Sequence, residues 1–426
     1  MAVATLANFV DGVLQSQLLD ARQCDELQAL QASVENTREL VHELVRRDWL
    51  TAYQVNQILQ GKGGALTFGP FILLERIGEG GMGRVFKVRQ KMLDRVIALK
   101  VIRKQYLDNP KIIQRFLREI RAAGQLSHPH IVRAYDADEI NGTYYIAMEF
   151  IDGDDLAKLV KEKGPLGVEQ ACEYIRQAAL GLQHALERGM VHRDIKPANL
   201  LVARTVAAPS HSPLAPGPEE RLRASNGPIK RPSNHDIKRS SGIIRRSEIA
   251  RLYPWGVVKI LDLGLVRCDD PMTGKALTHL TQVGAVMGTP EFIAPEQARD
   301  SHTSDIRADL YSLGCTLYFL LAGQPPFPTG TMTEKLLQHQ LNEAEPVGQA
   351  RRAKLLERQQ MHGSGRQEGI IGVSAEVEEV VRRLLSKLPE HRYQTPIELA
   401  SELQGILKQM TPGSLAKKPA PIAGPA

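Results

Sequence analysis

The stretch V-H-R-D-I-K-P-A-N, Val191 to Asn199, decides the reading of this 426-residue chain, because one short loop offers a base, a cation and a metal ligand. Asp194 is placed to accept a hydroxyl proton, Lys196 to neutralise a moving phosphoryl group, and Asn199 to hold a divalent cation beside them. Phosphoryl transfer needs that set. A single short loop of this content also arises by accident. Its company removes the accident: G-E-G-G-M-G-R-V (Gly78 to Val85) and V-I-A-L-K (ending at Lys100) precede it, and D-L-G (from Asp262) and A-P-E (ending at Glu296) follow.

The glycine turn fits G-x-G-x-x-G-x-V between two strand-like runs. A dinucleotide-binding glycine turn would open a helix and lead to an acid, whereas here strand follows strand and a lysine comes next. Gly78, Gly80 and Gly83 let backbone N–H groups approach nucleotide phosphates with no Cβ in the way. Alone, such a turn is equally an ordinary hairpin. Lys100 on a strand is ordinarily a solvated charge. Glu119, on a helix face shared with Phe116 and Ile120 and turned back to the sheet, gives it a partner facing a cleft.

Outward from these motifs, the hydrophobic period sets the architecture. Residues 1 to 66 read as a small helical domain: Leu6, Phe9, Val10, Val13 and Leu14 repeat at helical spacing, and Asn36 with Glu39, and Thr51 with Gln54, have capping-box spacing. From Phe71 the period is that of strands, in F-I-L-L-E-R-I-G, R-V-F-K-V-R-Q and R-V-I-A-L-K-V-I. A helix is expected from Asn109-Pro110 to Gly124, two more strands over 131–138 and 143–150, and then mainly helices, the longest over 168–188 and 305–321. A small antiparallel-sheet lobe followed by a larger helical lobe predicts an α+β, bilobal fold with a cleft between the lobes.

Composition bounds the rest. Hydrophobic content of 42% and charged content of 24% are ordinary for a globular protein. The net charge of +6 suggests nucleic acid until its location is noted: residues 203–256 hold ten Lys/Arg against four Asp/Glu, the whole excess. That stretch is rich in Pro, Ser and Arg, lacks periodicity, and reads as a disordered basic insert, so no nucleic-acid partner is expected. A second insert is read from Arg351 to Gly372, starting as a charged helix, and residues 409–426 read as a flexible tail. The four cysteines have no metal-binding spacing. No signal peptide opens the chain and no apolar run is long enough to span a bilayer, which points to a cytoplasmic protein.

Whole phrases then carry a family resemblance: R-E-I-R-A-A-G-Q-L-S-H-P-H-I-V, V-H-R-D-I-K-P-A-N-L-L, V-K-I-L-D-L-G-L, M-G-T-P-E-F-I-A-P-E-Q-A and A-D-L-Y-S-L-G-C-T-L-Y. Over about residues 68–408 the chain resembles the eukaryotic-like (Hanks-type) serine/threonine kinases of bacteria, most closely the planctomycete type. The resemblance implies a small lobe over about 68–150 and a large one over about 151–408, with ATP and Mg2+, or Mn2+, bound between them. Gly78, Gly80, Gly83, Val85, Ala98, Lys100 and Glu119 would serve the nucleotide. Met148 would guard the back of the adenine pocket, Glu149 to Ile151 would form the hinge, and Asp155 would meet the ribose. Asn199 and Asp262 would hold the metal, with Leu263 in place of the commoner Phe.

By the same resemblance Thr289 would hydrogen-bond both Asp194 and Lys196, Glu296 would pair with Arg392, and Asp309 would anchor the catalytic loop. Lys196 in K-P-x-N together with Thr289 looks like Ser/Thr chemistry on protein substrates. Phosphorylation of Thr278 or Thr281, met by Arg193, Arg267 and Arg115, would order the loop after Asp262. The insert is long for this family: 62 residues separate Asn199 from Asp262, where roughly a dozen are usual. The rival reading is a nucleotide-binding pseudokinase scaffold acting through residues 1–66 or the insert. Competent residues at Lys100, Glu119, Asp194, Lys196, Asn199 and Asp262 disfavour it.

Overall fold

The amino-terminal helices begin where the sequence supplies short polar side chains. Thr5 caps α1 (Leu6–Gln15), Asp20 caps α2 (Ala21–Ser33), Asn36 caps α3 (Thr37–Arg46) and Thr51 caps α4 (Ala52–Leu59). Each side-chain oxygen accepts from an N–H three residues on. The capping box at Thr51 and Gln54 is complete, and a second one forms at Asp20 and Gln23. At Asn36 the returning arm differs. The Glu39 carboxylate accepts from the Glu35 N–H and the Asn36 side-chain amide instead of the Asn36 backbone.

The structure is a computed structural model and describes residues 5–79, 83–102, 124–204, 253–261, 289–299, 304–362 and 372–410, with Ile113, Gln114, Leu117 and Ile120. Most of the helix expected over 110–124, the bulk of the basic insert and the tail beyond Met410 lie outside the described residues.

Six strands form one antiparallel sheet: β1 (Thr67–Phe68), β2 (Phe71–Glu79), β3 (Gly83–Gln90), β4 (Arg95–Ile102), β5 (Ala134–Ile140) and β6 (Thr143–Met148), in the order β1-β2-β3-β4-β6-β5. Side chains alternate across such a sheet, so its two faces meet different neighbours. Phe71, Leu73, Val88, Ile97, Leu99, Tyr145 and Ala147 form one buried cluster with Phe9, Val10, Val13, Leu40, Leu44, Val55 and Ile58 of the four helices. Of these helices α4 packs directly against β2, and the helices and the sheet share one continuous core. Phe71 and Tyr145 meet edge to face at 5.3 Å within it.

Beyond the sheet the chain forms β7 (Gly153–Asp155), α5 (Leu156–Lys163), α6 (Val168–Leu186), β8 (Leu200–Ala203), β9 (Val257–Ile260), α7 (Pro295–Arg299), α8 (Ile306–Ala322), α9 (Met332–Leu341), α10 (Val347–His362), α11 (Ala375–Leu384) and α12 (Pro396–Met410). The strands β7, β8 and β9 make a small antiparallel sheet, from which the basic insert leaves after Arg204 and returns before Tyr253. The helix α8 is apolar nearly all round and is buried along almost its whole length, so the lobe packs around it.

The second insert begins as the charged helix expected, within α10, and Arg351 is buried in it. Its guanidinium donates to the carbonyls of Leu166 and Leu321 at 2.7 and 2.8 Å. A cation is favoured there because Leu321 lies in the last turn of α8. Among the described residues no helix is long and apolar enough to cross a membrane.

Candidate active site

The loop from Val191 to Asn199 is held from below by α8. Asp309, in its first turn, is fully buried and accepts the His192 N–H at 2.7 Å through Oδ2 and the Arg193 N–H at 2.6 Å through Oδ1. Burial pushes its carboxyl up from the ordinary range, while the backbone N–H groups of His192 and Arg193 pull the other way. Arg193 sits in the left-handed region with φ of 66°. That conformation costs a non-glycine residue on the order of 1–3 kcal/mol and persists only where its surroundings fix it. Here the fixing groups are Asp309, Gln297, whose amide donates to the Arg193 carbonyl at 2.7 Å, and the Ser304 carbonyl, which accepts from the Arg193 guanidinium at 3.1 Å.

His192 joins this loop to the end of β9. Its Nε2 lies 2.8 Å from the Leu261 carbonyl, which can only accept, and its Nδ1 receives the Asp194 N–H at 3.2 Å. One neutral tautomer, protonated at Nε2, satisfies both contacts. No role for His192 had been read in the sequence, although it stands inside the deciding motif.

With its backbone fixed, Asp194 presents a carboxylate whose two oxygens differ. Lys196 Nζ donates to Oδ2 at 2.7 Å and to the Thr289 hydroxyl at 2.8 Å, and Asn199 Nδ2 donates to Oδ2 at 3.1 Å and to the Asp194 carbonyl at 2.8 Å. Among the described residues Oδ1 accepts no hydrogen bond, so one oxygen is engaged by cation and amide and the other remains for an incoming donor. Thr289 meets Lys196 as expected but does not bond Asp194 directly. Its hydroxyl is an acceptor for the ammonium that already lies between them.

Several residues expected to serve the nucleotide lie in register on the large sheet. Val85 faces Gly78 on β2 and Lys100 on β4, and Ala98 faces Met148 on β6. Lys100 and Ala98 are buried. Gly83 has a local reason to be glycine besides phosphate access: a Cβ there would lie 2.7 Å from the Val101 carbonyl oxygen. Gly78 has ordinary room, 3.6 Å to the Val85 side chain.

At the hinge, the Glu149 N–H donates to the Arg133 carbonyl at 2.8 Å, and its carboxylate takes Lys259 of β9 at 2.8 and 2.9 Å. That pair had not been read from the sequence. The signal was present in V-K-I-L-D-L-G-L, where Lys259 interrupts an apolar strand. Ile151 follows half-buried. Asp155 spends Oδ1 on capping α5, accepting the Lys158 N–H at 2.8 Å. Gly80, Glu119 and Asp262 lie outside the described residues, as do Arg115, Arg267, Thr278 and Thr281.

A second ion pair ties the segment after Thr289 to the far end of the lobe. Arg392 donates to both Glu296 carboxylate oxygens at 2.7 and 2.9 Å, with its side chain 0% exposed. It also donates to the carbonyls of Ser386, Lys387 and Arg307, and its guanidinium lies over the Tyr311 ring at 4.8 Å. The pairing of Glu296 with Arg392 is the one expected.

An antiparallel sheet lobe, a helical lobe packed around α8, and an H-R-D loop anchored by a buried aspartate are together the architecture of protein kinases. The protein kinase domain family matches residues 71–208 and 234–403, and the chain belongs to that family. Its relatives include bacterial serine/threonine-protein kinases. PknB of Mycobacterium leprae is 31% identical over 331 residues, covering 77% of this chain and 41% of that protein. The kinase pkn3 of Myxococcus xanthus is 31% identical over 335 residues, covering 78% and 49%. The chain thus spans less than half the length of these relatives. Among solved structures, the kinase domain of Mycobacterium tuberculosis PknI aligns with 80% of this chain and 96% of its own, at 20% identity and a TM-score of 0.48.

Proposed function

We propose that the chain is an ATP-dependent protein serine/threonine kinase that phosphorylates Ser and Thr hydroxyls of proteins, itself included. The observation that carries this reading is Lys196, held between the Asp194 carboxylate and the Thr289 hydroxyl. Asp194 Oδ1 orients the substrate hydroxyl and takes its proton as the new O–Pγ bond forms and the bond from Pγ to the β-phosphate oxygen breaks, releasing ADP. Lys196 offsets the charge on the γ-phosphoryl group, and Lys100 that on the α- and β-phosphates. When bound, Mg2+ or Mn2+ neutralises the phosphate oxygens. Asn199 fits that ion: its amide nitrogen is turned inward to Asp194, and among the described residues its Oδ1 accepts no hydrogen bond, which leaves a hard oxygen ligand. Asp262 is the second ligand in this reading.

Incubating the full chain and a generic protein substrate with Mg2+ and γ-labelled ATP, followed by phosphoamino-acid analysis, tests it. Phosphoserine and phosphothreonine are expected. Absence of label, or label on tyrosine alone, would contradict the proposal.

A further inference from the structure

The strand that leads into the glycine-rich turn does not run regularly. Along β2, Leu73 pairs with Val88 but Glu75 pairs with Lys87, and Arg76 pairs with Phe86 but Gly78 with Val85. Each step inserts one extra residue, Leu74 and then Ile77, into β2. An extra residue interrupts the ladder, bends the strand and increases its twist. Both slips fall in the stretch of β2 leading up to Gly78.

The first slip is gripped from outside by α4. Thr51 Oγ1 donates to the Leu74 carbonyl at 2.6 Å, and Gln54 Nε2 donates to the Leu73 carbonyl at 2.8 Å. These are the two residues of the α4 capping box, and each is used twice. Thr51 Oγ1 accepts the Gln54 N–H at 3.2 Å, and Gln54 Oε1 accepts the Thr51 N–H at 2.9 Å. In Gln54 the oxygen closes the helix and the nitrogen holds the strand, while the Thr51 hydroxyl does both. Gln54 is 3% exposed, so water does not compete for its bond. Between them Tyr53 sets its ring against Phe86, 6.5 Å between centroids, and Phe86 is the neighbour of Val85.

We propose that Thr51 and Gln54 are positioning residues for the nucleotide site. The helices before residue 66 fix the slip at Leu74, and through it the hairpin that carries Gly78, Gly83 and Val85. The inference rests on the kinase reading of the cleft. Its mechanism is preorganisation: a hairpin already bent costs less to order around a nucleotide.

Two substitutions separate the clamp from the cap. Gln54→Glu keeps the oxygen that closes the capping box but turns an acceptor toward the Leu73 carbonyl. Thr51→Asp, at a half-buried position, likewise keeps the cap and removes the donor. With Mg2+ and a non-hydrolysable ATP analogue as the probe, each variant of the full chain should show a Kd raised about fivefold, with kcat at saturating ATP within about twofold of the parent. Thr51→Ser, which retains both functions of the hydroxyl, should recover the parental Kd. Should Gln54→Glu not fold, Thr51→Asp carries the same expectation. Folded variants that bind the analogue as the parent does, even with a lowered Tm, would overturn the inference and leave only a brace. A parental chain that binds no analogue would overturn the kinase reading together with it.

Discussion

Lys196 reaches Thr289 across 93 residues of sequence, donating to its hydroxyl at 2.8 Å while it holds Asp194 Oδ2 at 2.7 Å. Thr289 therefore acts on the carboxylate through the ammonium. Thr289→Ala should leave Lys196 mobile and lower kcat about tenfold with little change in the KM for ATP. Thr289→Ser should recover most of the loss. Steady-state kinetics at varied ATP reads both parameters, and an unchanged kcat in the alanine variant would remove Thr289 from the site.

Asp309 uses one oxygen for each of two consecutive backbone N–H groups. In Asp309→Asn one of those oxygens is replaced by an amide nitrogen, which donates and does not accept, so one N–H loses its acceptor and the left-handed Arg193 loses a restraint. A displacement of about 1 Å in a catalytic group costs on the order of a hundredfold in rate, and that is the loss expected here. Circular dichroism should show the variant folded.

Arg392 is wholly buried, and five acceptors surround it. Arg392→Met leaves Glu296 and three carbonyls without their donor. Removing one partner of a buried pair costs about 3–5 kcal/mol. Urea unfolding should show a loss of that size. Glu296→Gln, which keeps an acceptor for Arg392 at a half-buried position, should cost less.

His130 and His339 are buried, and burial is the main force that lowers each imidazole from the usual 6.5 to about 4. The unfolded chain takes up protons at these residues as pH falls below about 6.5, while the folded chain resists until about 4. Stability from these groups is thus complete above 6.5 and is lost as pH falls toward 4. The urea midpoint should drop across that window. His339→Gln, with one titrating group fewer, should show a shallower drop.

Local signals made the strands, the long helices and the catalytic loop legible, because alternation, helical spacing and the order of H-R-D, D-L-G and A-P-E are properties of short windows. Contacts between distant segments were less accessible. Val10 and Val13 announce an apolar helix face, but nothing in their spacing says that it joins one core with a sheet. The burial of Arg351 was not legible, because its acceptors at Leu166 and Leu321 are backbone carbonyls and leave no trace in side-chain chemistry. The pairing of Glu296 with Arg392 was reached only by family resemblance, and Glu149 with Lys259 was missed. The Asp155 carboxylate, read as a ribose contact, has one oxygen committed to a helix cap.

Asp194→Asn tests the central claim most directly. The substitution is nearly isosteric, and its amide oxygen still accepts from Lys196 and Asn199 in place of Oδ2, so nucleotide binding should survive. The nitrogen that replaces Oδ1 cannot take a proton. Phosphoryl transfer to protein should fall about a thousandfold, while the Kd for Mg-ATP stays within about threefold of the parent. Near-parental turnover in this variant, with the protein folded and nucleotide bound, would contradict the account.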